Sequence, residues 1–189
     1  DIDKMYVILP FEKDFYEVKH KFPVEFVGHP LIDAIHNQSG VDANTFRTEN
    51  QLSEKPIIAI LPGSRKQEIS KMLSVMLSVV KDFPDYQFII AGAPSQELSF
   101  YQQFISGENI KFISNKTYAL LRNATAALVT SGTATLETAL FKVPEVVCYK
   151  GSWASYQIAK RIITLKYISL VNLIMDREVV TELIQDDCS

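Results

Sequence analysis

Two short loops carry residue types suited to holding an anion: Pro62-Gly63-Ser64-Arg65 and Ser131-Gly132-Thr133. Gly63 lets the backbone come close to a ligand. Ser64 and Gln67 have the spacing of a capping box, which marks a helix start. Amides left free at that start make an anion site, and Arg65 adds a planar fork of donors matched to phosphate. A capped helix with a solvated arginine explains this loop as well. The second loop repeats the logic and adds Glu137, one turn into its helix. A carboxylate placed there accepts hydrogen bonds from both hydroxyls of a ribose. A surface glutamate stabilised by the positive end of the helix is its plainer explanation. Each loop alone favours the plainer account; two such loops at paired positions favour a ligand crevice.

Other residues point less far. Asn172 follows an apolar run and would reach the same crevice or simply form a turn. His29, in Gly28-His29-Pro30, is either an interdomain polar contact or an ordinary turn residue. The histidines at 20, 29 and 36 lack metal-ligand spacing. Lys160 and Arg161 make a solvated basic face or a contact to an anionic ligand or surface. Gly63-Ser64-Arg65 lacks the second glycine and the lysine of a Walker loop, and no Ser-His-Asp set is evident.

The elements that must position these loops follow from hydrophobic patterning. Residues 5–9 read as a buried strand, 12–20 as a short helix and 25–27 as another strand. Residues 37–53 are polar, carry Gly40 and show no sustained period, so they read as a linker. Beyond it, apolar runs at 57–61, 87–91, 110–113, 126–130, 146–149 and 167–170 are mostly separated by helical segments. The clearest helix spans 65–82, where Ile69, Met72, Leu73, Met76 and Val80 recur on one face. Residues 153–165 read as a second. This alternation predicts an α/β fold, a Rossmann-like doubly wound parallel sheet covered on both faces. Ligands of such sheets bind beyond the carboxyl ends of the strands, where the strand order reverses. With the common order 3-2-1-4-5-6, that point lies between the first and fourth strands, and the two loops face each other across it.

Bulk properties narrow the class. The chain has 189 residues, 47% hydrophobic and 22% charged, enough for one sizeable core and a smaller piece. A net charge of -3 argues against generic nucleic-acid binding. Cys148 and Cys188 are too few for a disulfide scaffold and read as free thiols of a reducing compartment. No run approaches the roughly 18 apolar residues of a membrane helix. Both ends look cut, so a piece of a longer protein is expected.

In these segments the sequence resembles bacterial lipid-A-disaccharide synthases, inverting glycosyltransferases of the two-domain GT-B fold. The resemblance rests on Leu9-Pro-Phe-Glu-Lys13, Val27-Gly-His-Pro30, Leu61-Pro-Gly-Ser-Arg65 with Glu68, Ser131-Gly-Thr-Ala-Thr-Leu-Glu137, and Tyr167-Ile-Ser-Leu170 running to Asn172-Leu173. It covers nearly the whole chain in order. Val171 stands where the family usually has proline. The resemblance implies that residues 1–36 end the N-terminal GT-B domain, 37–54 link, and 55–189 form the UDP-sugar-binding domain. It implies transfer of 2,3-diacylglucosamine from UDP to 2,3-diacylglucosamine 1-phosphate, with no cofactor and no metal. Gly63, Ser64 and Arg65 would hold the diphosphate, with Arg65 stabilising the leaving group. Ser131, Gly132 and Thr133 would form the opposing loop, and Glu137 would hold the ribose. Phe112 and Ile113 would flank the uracil, and Asn172 would complete the cleft. The general base would lie outside this chain, leaving it inactive alone. The resemblance also implies a cytoplasmic enzyme peripheral to the inner membrane, with a homodimer as a further expectation. A UDP-sugar 2-epimerase-like enzyme and a non-catalytic nucleotide-binding module are the competing readings, and fold alone does not separate them.

Overall fold

Strands that are apolar on both faces must be covered on both faces, and this requirement organises the larger part of the chain. The computed structural model describes residues 3–38, 40, 42–107, 109–151 and 166–188. Six strands form one sheet: β3 (Ile57–Leu61), β4 (Gln87–Gly92), β5 (Ile110–Ser114), β6 (Ala126–Thr130), β7 (Glu145–Tyr149) and β8 (Thr181–Ile184). Their spatial order is β5-β4-β3-β6-β7-β8, and every neighbouring pair is parallel. Counted from β3, this is the expected order 3-2-1-4-5-6. The chain starts at the middle of the sheet, builds one wing, returns to the middle and builds the other. The reversal falls between β3 and β6, where Leu61 lies opposite Val129.

Alternation along the strands divides the core into two layers. Ile57, Ala59 and Leu61 pack with Phe46, Leu120 and Leu121 on one face. Ile60 packs with Ile69, Met72, Leu73, Met76 and Tyr101 on the other. The latter face is covered by α4 (Lys66–Ser78), which buries Ile69, Met72, Leu73 and Met76, the predicted stripe. The helix is shorter than the expected 65–82; Val80 belongs to a separate tight turn, Val80–Asp82. The predicted helix at 153–165 lies outside the described residues, as do Lys160 and Arg161.

The N-terminal piece is a strand–helix–strand unit, as expected, but its strands are shorter. β1 (Tyr6–Val7) pairs in parallel with β2 (Glu25–Phe26) through α1 (Pro10–Asp14) and a wider turn at Phe15–Lys19. The Glu12 carboxylate accepts from the Ile8 and Leu9 amides at 3.0 and 2.8 Å, which starts α1 two residues earlier than patterning suggested. A further short helix, α2 (Leu31–His36), follows Pro30.

Two sequence expectations are corrected. Residues 37–53 are not a structureless linker, because α3 (Ala43–Glu49) lies within them. Asp42 caps it, accepting from the Asn44 and Thr45 amides at 2.9 and 3.2 Å. Phe46 anchors it at 1% exposure. One apolar residue in two turns leaves no period to detect. Ser53 then exchanges hydrogen bonds with buried Gln87, tying the segment to β4. Second, residues 167–170 are not the sixth strand. Ser169 caps α8 (Leu170–Met175), and the sixth strand is β8, which follows that helix. A short apolar run fits either element; here the serine decided for a helix.

Candidate functional site

Beyond the carboxyl ends of β3 and β6 lies an open cleft of about 400 Å³. Gly63, Ser64, Arg65, Ser131, Gly132, Thr133 and Glu137 all line it, together with the end of β4 from Ala91 to Pro94. The fold therefore gathers seven of the ten predicted site residues around one space.

The β3–α4 loop needs glycine at 63. Its φ is +99°, and a Cβ there would lie 2.9 Å from a Glu68 carboxylate oxygen. The predicted Ser64–Gln67 cap is displaced by one residue. Arg65 occupies the cap position, and Glu68 accepts from its amide at 3.5 Å. The same carboxylate pairs with the Arg65 guanidinium at 3.3 Å. Arg65 is thus exposed at the cleft mouth, and among the described residues only a surface ion pair holds its guanidinium, a contact of small energy. Ser64 is exposed, and its carbonyl accepts from Ser95 of the loop after β4.

The β6–α7 loop opens α7 (Thr133–Leu140). Gly132 sits at φ +151° and ψ -163°, a region essentially reserved for glycine. Among the described residues no side chain caps this helix; the Thr135 amide donates back to the Gly132 carbonyl at 3.2 Å, while Thr133 and Ala134, which line the cleft, have no side-chain acceptor for their amides. The Ser131 hydroxyl donates to the Ile168 carbonyl at 2.8 Å, so its proton is committed to the loop. On the cleft floor, Thr130 is 6% exposed and its hydroxyl finds no partner among the described residues. Sequence reading missed Thr130, although it directly precedes the Ser131 loop.

Glu137 is half-buried and accepts from the Tyr118 hydroxyl at 3.0 Å. Burial pushes its carboxyl up, while the Tyr118 hydrogen bond and the nearby His29 pull it back down. Burial, the Glu137 charge and the shared hydrogen bond push the Tyr118 phenol up to about 12. His29, at the turn between β2 and α2, accepts from the Leu31 amide through Nδ1 at 3.2 Å. Among the described residues it makes no hydrogen bond or ion pair to Glu137, which it reaches only as a nearby charge. Tyr118 carried no local signal; only the packing of α6 (Thr117–Asn123) on α7 brings it to Glu137.

Three predicted residues lie elsewhere. Phe112 packs on Tyr101, with ring centroids 4.8 Å apart, and over Gly92. The Ile113 side chain belongs to the core layer containing Phe46; its carbonyl backs Gly92, at the edge of the cleft. Asn172 is fully buried in α8, and its amide is saturated. Nδ2 donates to the Val180 carbonyl and to Glu182, both at 2.8 Å, while Oδ1 accepts from the Val179 and Val180 amides at 2.7 and 3.0 Å. These four bonds use every donor and acceptor the side chain has. Asn172 therefore braces the edge of the sheet instead of presenting its amide to the cleft. Val171, at the second position of α8, stands in the first helical turn, where an amide has no intrahelical partner and a proline would cost nothing.

A family model described as lipid-A-disaccharide synthetase matches residues 1–189. The chain belongs to that family. It is 38% identical to the lipid-A-disaccharide synthase of Idiomarina loihiensis and 36% identical to that of Geobacter sulfurreducens, in each case over the whole chain. The alignments cover 51% and 50% of those proteins, so the chain spans about half the length of the curated relatives it matches. Among solved structures, it resembles a putative UDP-N-acetylglucosamine 2-epimerase from Listeria monocytogenes, with a TM-score of 0.58 at 17% identity, covering 92% of this chain and 50% of the other. It also resembles WaaG, a glycosyltransferase involved in lipopolysaccharide biosynthesis, with a TM-score of 0.51 at 14% identity over 91% of this chain and 52% of the other. At such identity these likenesses establish the fold: this lipid-A-disaccharide synthetase family member has the architecture of one half of a GT-B protein.

Proposed function

We propose that the chain is the donor-binding half of an inverting glycosyltransferase. The whole enzyme would move 2,3-diacylglucosamine from UDP to 2,3-diacylglucosamine 1-phosphate, forming the β-1,6-linked lipid A disaccharide phosphate and UDP. The acceptor hydroxyl attacks the anomeric carbon as the bond to the UDP oxygen breaks. The hydroxyl proton passes to a general base supplied outside these residues. Negative charge then gathers on the departing diphosphate, where preorganised donors are most effective. The first-turn amides of α7, those of α4 and Arg65 would meet it, and Glu137 would hold the ribose. The acylated substrates would bring the whole enzyme to the cytoplasmic face of the inner membrane. Tyr6, Val18 and Val27 of the N-terminal unit are exposed, and a homodimer would cover them.

The supporting observation is the cleft itself: two glycine-hinged helix starts and a half-buried carboxylate meet where the strand order reverses. Calorimetric titration with UDP and ADP tests it. UDP is expected to saturate and to bind more tightly than ADP. Arg65→Ala and Glu137→Ala should each weaken UDP by about tenfold or more, the usual scale of a charge-assisted hydrogen bond. Absence of saturable UDP binding, or wild-type affinity in either variant, would overturn the assignment. Epimerisation of plain UDP-N-acetylglucosamine by the intact-length enzyme would instead favour a 2-epimerase.

A further inference from the structure

The nucleotide reading uses Glu137 but leaves its hydrogen-bonded neighbour without a task. Tyr118 lies along α7 with its ring 5.3 Å from that of Phe141 and its hydroxyl 3.0 Å from Glu137 Oε1. Phe141 is one turn beyond Glu137, so a single side chain touches two successive turns of the same helix face. The Arg122 guanidinium, also from α6, lies 5.6 Å from the Phe141 ring centre and adds a second brace. Tyr118 is thereby fixed at both ends, by its ring and by its hydroxyl.

The direction of the hydrogen bond is fixed as well. The phenol keeps its proton up to about pH 12, so it donates and Glu137 accepts. A carboxylate on a flexible glutamate stem would otherwise sample many orientations, each a cost in side-chain entropy on binding. With Oε1 anchored, the carboxylate samples fewer orientations, and Oε2 with the remaining lone pair of Oε1 is left for a ligand. Two vicinal hydroxyls at fixed separation fit that arrangement; a sugar lacking one of them leaves an acceptor site unused.

We propose that Tyr118 is a positioning residue: it fixes the Glu137 carboxylate and so sets the preference of the cleft for ribonucleotides over 2′-deoxyribonucleotides. This rests on Glu137 being the ribose acceptor. The charged and titratable groups around Glu137 are Tyr118 from α6, His29 from the β2–α2 turn, and Arg65 with Glu68 across the cleft. Of these, Tyr118 is the one hydrogen-bonded to it.

The test measures the affinities of UDP and 2′-deoxy-UDP for the full chain and for Tyr118→Phe and Glu137→Gln. Phenylalanine keeps the ring on Phe141 and removes only the hydroxyl. Tyr118→Phe is expected to weaken UDP by about fivefold to tenfold, less than the loss of a direct hydrogen bond to a charged group because Glu137 itself remains, and to leave 2′-deoxy-UDP nearly unchanged. The preference for the ribonucleotide should fall by the same factor. Removal of the bond that pulls the Glu137 carboxyl down should also make UDP binding fail at a higher pH on acidification. A purely structural tyrosine would weaken both nucleotides equally and leave the ratio intact, and that outcome overturns the proposal. If Glu137→Gln abolishes the preference while Tyr118→Phe retains it, Tyr118 alone is misassigned. If Glu137→Gln leaves the preference intact, the ribose role of Glu137 falls and the proposal with it.

Discussion

Glu145→Met is expected to stabilise the chain, by an amount that grows as the pH rises from about 4.5 to about 8. Glu145 opens β7 opposite Ala127 and is 7% exposed. Neither of its carboxylate oxygens finds a hydrogen-bond partner among the described residues. Burial pushes its carboxyl up from 4.5 to about 8. Below the lower value the group is protonated in folded and unfolded chains alike, and its penalty is smallest. Above it the unfolded chain releases the proton while the folded chain holds it. Stability therefore falls with rising pH until the folded carboxyl ionises near 8. Each pH unit of that interval lowers stability by about 1.4 kcal/mol, an upper limit of about 5 kcal/mol in all. Methionine is similar in size, apolar and adaptable, so it removes the charge without opening a cavity. The expected gain is about 2–3 kcal/mol at the upper end of the interval, less than the limit because strand ends relax. Urea midpoints across the interval measure it. A gain independent of pH would mean that the carboxylate has a partner in the folded chain.

Asn172→Ala should be among the most damaging single changes in the sheet domain, at about 3–5 kcal/mol. It strands the Val179 and Val180 amides, the Val180 carbonyl and one side of Glu182. Glu182 is itself the hub that accepts from the Ile168 and Ser169 amides, the Ser169 hydroxyl and Asn172, at 2.8–2.9 Å. Removing one member of such a network leaves the half-buried Val180 groups and Glu182 without their partner, the costly direction of the hydrogen-bond asymmetry. Thermal unfolding in the absence of nucleotide checks this. An asparagine that only touched ligand would leave the ligand-free midpoint where it is.

The parts legible from sequence are those where burial writes a pattern. Residues 57–61 and 126–130 are apolar because both faces of a central parallel strand are covered, and both strands were bounded correctly. Their order then placed the Gly63 and Ser131 loops together without any side-chain contact being known. β8 escaped because it is an edge strand with its first residue exposed and the rest half-buried, so Thr181 and Glu182 hide the alternation. Its glutamate, polar by type, is consumed by the loop that resembled a strand. Resemblance and position point Asn172 towards a ligand; only its four hydrogen bonds assign it to the scaffold. Tyr118 and Glu137 are 19 residues apart, and no local rule links them.

Gly63 and Gly132 have a consequence for how an anion is captured. Among the described residues lining the cleft, Arg65 is the only lysine or arginine, in a chain whose net charge is -3. Under the proposed function, the grip of these residues on a diphosphate would come mainly from main-chain dipoles, whose pull fades within a turn of the helix end. Such a crevice would gather little from a distance, because the attraction of a helix end is both short-ranged and screened by salt. Its selectivity is of short range: a phosphate is recognised only after it has entered, by whether it fits where two glycines have cleared the way.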